Sequence, residues 1–258
     1  MRLDQYLVER GLVPTREKAQ ALIMSGFVLV DGAVVDKPGY RLREGQRVEV
    51  KELPKYVSRG GYKLEGAIRR VGLNLEGLTA LDVGSSTGGF TQCLLMHGVK
   101  RVYAVDVGRG QMDIKLRQDP RVVLYEETDI RELTEEHVPE KVDIITVDVS
   151  FISLTKVLPH AVKFLKEEGF LLVLVKPQFE VGPERVRKGI VKKEEDRRFA
   201  LIKVINFLKS LGFKIGGVMK AKPKGAKGNE EFFILAGRSL EEIKNLEEAV
   251  ENALKEPV

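Results

Sequence analysis

Two charged residues stand directly after apolar runs that predict buried strands. Asp148 follows Ile144–Val147, and Lys176 follows Phe170–Val175. Because parallel strands of one sheet end at the same edge, both side chains are expected where α/β proteins bind ligands. A lysine can act as a base there only if burial or a neighbouring cation lowers its pKa from about 10.4 toward neutrality. A solvated surface charge is the alternative interpretation of either residue.

A glycine-rich stretch predicts a ligand loop at the same edge. Thr79–Phe90 reads T-A-L-D-V-G-S-S-T-G-G-F, which predicts a strand, a glycine turn and the start of a helix. The spacing does not fit the G-x-G-x-x-G pattern of nicotinamide and flavin sites. It fits a phosphate-binding P-loop except that Phe90 occupies the lysine position. A ligand with an adenosine part and no phosphates remains, and S-adenosylmethionine meets that description; a turn without a ligand is the alternative.

Two further acids extend this predicted cofactor site. Asp106 ends the next predicted strand, about 20 residues on, where a carboxylate can take ribose hydroxyls. Asp129 ends the strand after that and is expected to reach the adenine amino group. The predicted cofactor contacts are Asp82, Gly84, Ser85, Ser86, Thr87, Gly88, Gly89, Phe90, Asp106 and Asp129.

The remaining pattern predicts the elements that position these residues. A chain of 258 residues can hold one α/β domain and a smaller one. The predictions for the larger domain are a helix at Ser58–Val71, strands near 101–107 and 121–125, a helix at Leu154–Glu167, a long basic insert at Gln178–Arg198, a helix at 199–211, strands near 213–219 and 231–236, and a last helix capped by Ser239.

The first 50 residues predict a small α+β domain. A helix over 2–11 and a second one capped by Thr15 precede short strands, with Asp31-Gly32 as a hairpin turn. The pattern R-L-D-x-x-L-x-x-x-G-L-x-x-T-R-x-x-A-x-x-L-I-x-x-G-x-V-x-V-D-G resembles the S4 RNA-binding domain. That resemblance implies Arg2, Arg16 and Lys18 as phosphate contacts. The basic insert adds Arg185, Arg187 and Lys188 as predicted RNA contacts.

Four short motifs resemble a catalytic tetrad. S-R-x-x-x-K-L around Lys63, D-V-S around Asp148, V-K-P around Lys176 and N-E-E-F-F around Glu231 resemble the FtsJ-type RNA ribose 2′-O-methyltransferases. With the S4-like region in front, the whole chain resembles the TlyA family. The resemblance implies Lys176 as base, Lys63 as a nearby cation, Asp148 as the orienting group, and Glu231 as the group that holds Lys63 or the ribose. Whether Lys176 or Asp148 takes the proton stays open.

The resemblance also implies an architecture and an activity. We expect a Rossmann-like, seven-stranded methyltransferase domain at residues 58–258, a linker at 51–57 and an S4 domain at 1–50. The implied activity is S-adenosylmethionine-dependent 2′-O-methylation of cytidine in ribosomal RNA. The implied partners are ribosomal RNA or ribosomal subunits, with no DNA and no membrane, and no metal is required.

Composition is compatible with this interpretation and leaves two alternatives. The net charge of +5 permits an anionic partner, and one cysteine, Cys93, excludes an internal disulfide. No apolar run reaches about 18 residues and no signal peptide is evident, so we expect a cytoplasmic protein. A membrane-active haemolysin, as the family's older name suggests, and an RNA-binding factor without catalysis are the alternatives. Base methylation is disfavoured, since Asp148-Val-Ser-Phe lacks prolines and Cys93 lies on the predicted cofactor helix.

Overall fold

A computed structural model describes all 258 residues as two compact units, Met1–Lys55 and Tyr56–Val258. The first unit contains helices α1 (Leu3–Glu9) and α2 (Arg16–Met24) and strands β1 (Val28–Val30), β2 (Ala33–Val34) and β3 (Val48–Val50). Its three strands form a sheet in the order β2-β1-β3, with both pairs antiparallel. The Thr15 hydroxyl accepts a hydrogen bond from the Lys18 N–H, which confirms the predicted cap.

The second unit carries most of the regular structure. Its helices are α3 (Arg59–Val71), α4 (Gly89–Met96), α5 (Ile114–Arg117), α6 (Leu154–Ala161), α7 (Glu194–Ser210) and α8 (Leu246–Lys255). Its strands are β4 (Thr79–Val83), β5 (Arg101–Val105), β6 (Val122–Tyr125), β7 (Val142–Val147), β8 (Leu165–Val175), β9 (Lys214–Lys220) and β10 (Phe232–Gly237).

These seven strands form one sheet in the order β6-β5-β4-β7-β8-β10-β9. Strands β4 to β8 are parallel, and β10 runs antiparallel to both of its neighbours. The chain order reverses between β4 and β7, and the carboxyl ends of strands at such a point line a ligand crevice. The predicted Rossmann-like fold with a small α+β domain in front is confirmed.

Helices cover both faces of the sheet because successive strand residues point to opposite sides. Ala80 belongs to the apolar cluster that contains Leu64 of α3 and Leu94 of α4. Its neighbour Leu81 belongs to the cluster formed with α6, α7 and α8. The sheet is therefore buried between two layers, and a ligand can reach it only at its edges and strand ends. None of the helices combines the length and the apolar character needed to cross a membrane.

Three predicted boundaries are wrong. Helix α6 ends at Ala161 instead of Glu167, because Leu165 already pairs with Val142 as the start of β8. Helix α7 begins at Glu194, where acidic residues in its first turn favour a helix N-terminus, so the basic insert is shorter than predicted. The last helix is capped by Asn245 and not by Ser239, whose hydroxyl donates to the backbone oxygen of Glu167 in β8.

Candidate active site

The glycine loop leads from β4 into α4. Gly84 has a φ of 82°, and Gly88, just before the helix, has a φ of 101°. L side chains rarely adopt these conformations, so both positions favour glycine. A Cβ at residue 84 would also overlap the backbone oxygen of Asp148. The loop backbone therefore lies directly against the start of the loop that follows β7.

Asp106 anchors the glycine loop from the end of β5. One of its oxygens accepts the Ser86 N–H at 2.8 Å, and the other accepts the Gly108 N–H at 2.7 Å. Each carboxylate oxygen has a second acceptor direction, so Asp106 can hold the loop and still bind a hydroxyl. Asp129 follows β6, where the guanidinium of Arg131 donates to its two oxygens at 2.9 and 2.6 Å. Both acids border a cavity of about 360 Å³, a volume usual for small-molecule sites.

Most predicted cofactor residues border this cavity or an adjoining one. Those residues are Gly84, Ser85, Ser86, Thr87, Gly89, Phe90, Asp106 and Asp129. Gly88 and Asp82 do not border either cavity.

Asp82 lies behind the loop, fully buried within the sheet. It accepts hydrogen bonds from the hydroxyls of Thr91, at 2.7 Å, and Thr146, at 3.0 Å. Burial raises the pKa of the Asp82 carboxyl to about 7, and the two hydroxyls lower it against that effect. Asp82 therefore links β4 to the first turn of α4 and to β7, and it supports the loop from inside.

The four predicted tetrad residues meet at one edge of the sheet. Asp148 and Lys176 directly follow β7 and β8. Glu231 directly precedes β10, and because β10 is antiparallel, its first residue pairs with the last residue of β8. Lys63 reaches the site from α3. Residues that lie up to 168 positions apart in the chain thus come within hydrogen-bonding distance.

The four charges form two ion pairs. Lys176 Nζ lies 2.6 Å from Asp148 Oδ1 and donates to Ser150 Oγ at 3.1 Å. Lys63 Nζ lies 2.6 Å from Glu231 Oε2, and these two side chains are only 8% and 2% exposed. Of the two roles predicted for Glu231, the structure shows the contact with Lys63. The charge of Lys63 is therefore balanced by a carboxylate of its own.

All four tetrad residues border a second cavity of about 310 Å³. Asp148 and Ser150 border both cavities, which therefore meet at the end of β7. Two buried polar atoms on the second cavity, Ser85 Oγ and Gln178 Oε1, have no hydrogen-bond partner in the protein. Buried polar atoms are normally paired, so these atoms fit a site that binds a polar ligand.

Glu180 joins the two loops that carry Asp148 and Lys176, and the sequence analysis did not identify it. Its carboxylate is buried and accepts from Ser153 Oγ at 2.7 Å and from the Leu154 N–H at 2.8 Å. Lys203 of α7 contacts the same carboxylate at 3.2 Å and donates to the Glu180 backbone oxygen at 2.9 Å. These contacts fix the loop after β8 to the start of α6.

Phe151 is a second residue that the sequence analysis missed. Its ring is 89% exposed, its φ is 62°, and it borders both cavities. The ring lies 4.9 Å from that of Phe179, measured between centroids. An exposed aromatic ring in a strained backbone conformation indicates a functional surface. The sequence could have indicated both rings by their position, because Phe151 stands three residues after Asp148 and Phe179 stands three residues after Lys176.

Two of the three predicted RNA contacts of the first unit, Arg2 and Arg16, share one buried acid, Asp4. Arg2 donates to both oxygens of Asp4 at 3.0 Å, Arg16 donates at 3.1 Å, and Gln20 donates at 3.1 Å. The Arg2 hydrogen bonds hold the pKa of Asp4 well below its usual range, although burial opposes that effect. A guanidinium has five donors, so both arginines, about half exposed, keep donors for phosphates. Lys18 is exposed and forms no ion pair.

The predicted contacts of the insert differ in their pairing. Arg185 is paired with Asp196 at 3.3 Å and stacks on the ring of Phe199. Arg187 and Lys188 are exposed, and their side chains have no carboxylate partner. Arg187 and Lys188, unlike Arg185, are therefore fully available to an external anion.

Comparison with known proteins decides the family. The model of the FtsJ-like methyltransferases matches residues 56–238. This chain belongs to the FtsJ-like methyltransferase family. Within that family it carries an S4 domain, whose model matches residues 1–48.

Relatives of similar length share both parts. Hemolysin A of Brachyspira hyodysenteriae is 42% identical, over 90% of this chain and 98% of that protein. The 16S/23S rRNA (cytidine-2′-O)-methyltransferase TlyA of Mycobacterium tuberculosis is 39% identical, over 99% of this chain and 97% of that protein. A solved structure from Streptococcus thermophilus, which carries a provisional hemolysin name, has a TM-score of 0.76 and 36% identity, over 98% and 94% of the two chains. This FtsJ-like chain is therefore a TlyA-type methyltransferase.

Proposed function

We propose that this protein methylates the ribose 2′-hydroxyl of cytidine in ribosomal RNA, with S-adenosylmethionine as the methyl donor. The observation that carries the proposal is the junction of the two cavities at Asp148 and Ser150. One cavity is bordered by the glycine loop and two acids, and the other is bordered by two lysines and two carboxylates. Such a pair of sites can hold a cofactor beside a hydroxyl nucleophile.

The residues of the first cavity fit an adenosine-containing cofactor. Asp106 has free acceptor directions for ribose hydroxyls, and Asp129 borders the same cavity for the adenine amino group. Gly84, Gly88 and Gly89 have no side chain, so a ligand can approach the loop backbone closely at these positions. When bound, S-adenosylmethionine supplies an electrophilic methyl group on a sulfonium.

The residues of the second cavity would orient the hydroxyl and take its proton. A ribose hydroxyl is a poor nucleophile, so its proton has to leave as the oxygen is methylated. Lys176 Nζ is held by Asp148 and Ser150, beside the junction of the cavities. We assign proton acceptance to Lys176 in its neutral amine form, because its Nζ is the basic group that lies beside the junction of the cavities. Asp148 would orient both the lysine and the hydroxyl.

The buried ion pair of Lys63 and Glu231 would form a rigid side of this site. Both charges are compensated, so the pair offers hydrogen-bond groups without adding a net charge. The exposed ring of Phe151 would stack on a base of the substrate, since every nucleobase has a π face. We assign RNA capture to residues 1–50 and the chemistry to residues 58–258, joined by the linker 51–57.

The test is to map modified nucleotides by mass spectrometry. Unmodified 16S and 23S ribosomal RNA would be incubated with the protein and S-adenosylmethionine, and with Lys176→Ala as the matched inactive control. We expect 2′-O-methylcytidine with the wild type only. RNA binding and cofactor binding without any methylated nucleotide would favour an RNA-binding factor without catalysis, and a methylated base would contradict the ribose assignment.

A further inference from the structure

The basic insert and the lysine-rich loop before β10 are joined into a single surface. Arg187 and Ile190 form an isolated bridge, which folds the insert into a small hairpin. Asn229, which is buried, donates to the backbone oxygens of Gly189 at 2.8 Å and Ala226 at 3.1 Å. Its oxygen accepts the Val191 N–H at 3.1 Å. The side-chain amide of Asn229 therefore fixes the hairpin to the lysine-rich loop.

This joined surface is also fixed to the tetrad. A Cβ at Gly225 would overlap Glu231 Oε1, so the loop backbone packs directly on the tetrad glutamate. Arg59 donates to the backbone oxygen of Lys224 at 3.3 Å. Arg59 and Ala226 both border the cavity that the tetrad lines. The loop therefore forms part of the rim of that cavity.

The rim carries positive charge that no carboxylate balances. Residues 220–229 contain four lysines and no acid, and two of these lysines, Lys220 and Lys222, are paired with Glu230 and Glu256 from outside this stretch. Lys224 and Lys227 are exposed and form no ion pair, as are Arg59, Arg187 and Lys188. The Lys227 ammonium donates only to the backbone oxygen of Lys188, at 3.4 Å. By contrast, Arg197 and Arg198 of the neighbouring helix are paired with Glu230 and Glu251.

We propose that Arg59, Arg187, Lys188, Lys224 and Lys227 form a phosphate-binding rim, which holds the RNA backbone next to the target nucleotide. The proposal rests on the proposed function for the identity of the partner, since the rim borders the cavity assigned to the ribose. Unpaired cations can neutralise phosphates without first breaking an internal ion pair, and each neutralised phosphate releases counterions. The contacts of Asn229 hold the backbone of both loops, so binding of RNA does not have to order that backbone.

The test is the salt dependence of RNA binding. A triple variant with Lys188→Ala, Lys224→Ala and Lys227→Ala would be compared with the wild type in filter binding of 16S and 23S ribosomal RNA over a range of KCl concentrations. Each phosphate contact contributes about 0.7 to the slope of log K against log salt for single-stranded RNA. Three lost contacts lower the slope by about 2, which is roughly a hundredfold weaker binding at 0.1 M salt and little change near 1 M.

Two controls separate this rim from a general effect of net charge. Lys209→Ala, Arg238→Ala and Lys255→Ala remove the same charge at three cations that have carboxylate partners elsewhere, and this variant should keep the wild-type slope. The triple replacement of Lys188, Lys224 and Lys227 by arginine should also keep it. Unchanged calorimetric binding of S-adenosylmethionine would show that the alanine variant is folded.

The outcome can be judged independently of the activity. An alanine variant with the wild-type slope and affinity would overturn the rim, even if the wild type methylates ribosomal RNA. Equal weakening at every salt concentration would also overturn it, because lost phosphate contacts must act through salt. Failure of the wild type to methylate, with a reduced slope in the variant, would count against the proposed function and leave the rim supported.

Discussion

Replacing Glu231 by glutamine tests the buried ion pair of the tetrad. Glutamine keeps the shape of the side chain but leaves the Lys63 ammonium, 8% exposed, without a counter-charge. Removing one partner of a buried pair costs about 3–5 kcal/mol, because the remaining charge stays desolvated. In a unit of this size 1 kcal/mol corresponds to roughly 2–4 °C. We therefore expect Glu231→Gln to lower the Tm by roughly 6–20 °C and to abolish methyl transfer.

A double variant separates the charge effect from packing. Lys63→Met combined with Glu231→Leu removes both charges, and such replacements are often neutral or stabilising by about 1–4 kcal/mol. We expect this variant to regain most of the lost Tm while it stays inactive. The matched surface control is Glu195→Gln, which breaks the exposed pair with Lys193 and should change stability by less than about 1 kcal/mol.

Calorimetry and thermal unfolding followed by circular dichroism are the assays. A Tm of Glu231→Gln within about 2 °C of the wild type would mean that the ammonium is hydrated, and the reasoning from burial would then be wrong. If the double variant were as unstable as the single one, the drop in Tm would have to come from altered packing and not from the uncompensated charge.

Four other residues give further tests. Lys176→Ala should abolish methyl transfer with cofactor and RNA binding nearly unchanged, and Lys176→Arg should not rescue it, because a guanidinium keeps its proton; a near-wild-type rate in the arginine variant would move the base to Asp148. Asp106→Asn should weaken S-adenosylmethionine binding by about 10- to 100-fold in calorimetry, because the acceptor of a charge-assisted hydrogen bond is lost; wild-type affinity would remove Asp106 from the site. The raised pKa of Asp82 means that the native state binds its proton more tightly than the unfolded chain does, so this residue lowers the unfolding free energy as pH rises from about 4 through 7. Urea unfolding of Asp82→Asn should accordingly show a flatter profile over that range, and an unchanged profile would contradict the raised pKa. Glu180→Gln should lower kcat about tenfold or more without changing the KM for the cofactor, since misplacement of a catalytic group by about 1 Å can cost 100-fold; Asp143→Asn is the control, as Asp143 also accepts a backbone N–H and a lysine, each at 2.8 Å, but at the opposite end of β7.

Local patterns were sufficient to predict the positions of the reactive groups along the chain. A strand that is buried on both faces is a continuous apolar run, so the first polar residue after it marks the ligand edge. That rule applies to Asp106, Asp148 and Lys176. The glycine loop is predictable because glycine tolerates positive φ, so closely spaced glycines after a strand indicate a tight turn. The bounds of helices and strands were less predictable where pairing between strands competes with local helix propensity. At Leu165, pairing with Val142 ends the predicted helix.

The pairing of the charges was decided by the tertiary structure alone. The sequence places Lys63 and Glu231 168 positions apart, and only the antiparallel entry of β10 beside β8 brings them to 2.6 Å. The division of the basic residues into paired and unpaired ones has the same origin, because each ion pair depends on which acid the fold brings near. Asp4, Glu180 and Asn229 organise the site surfaces through long-range hydrogen bonds. Their residue types are common in solvated loops, so the sequence determined where the chemistry could lie, and the packing of distant segments determined which groups share it.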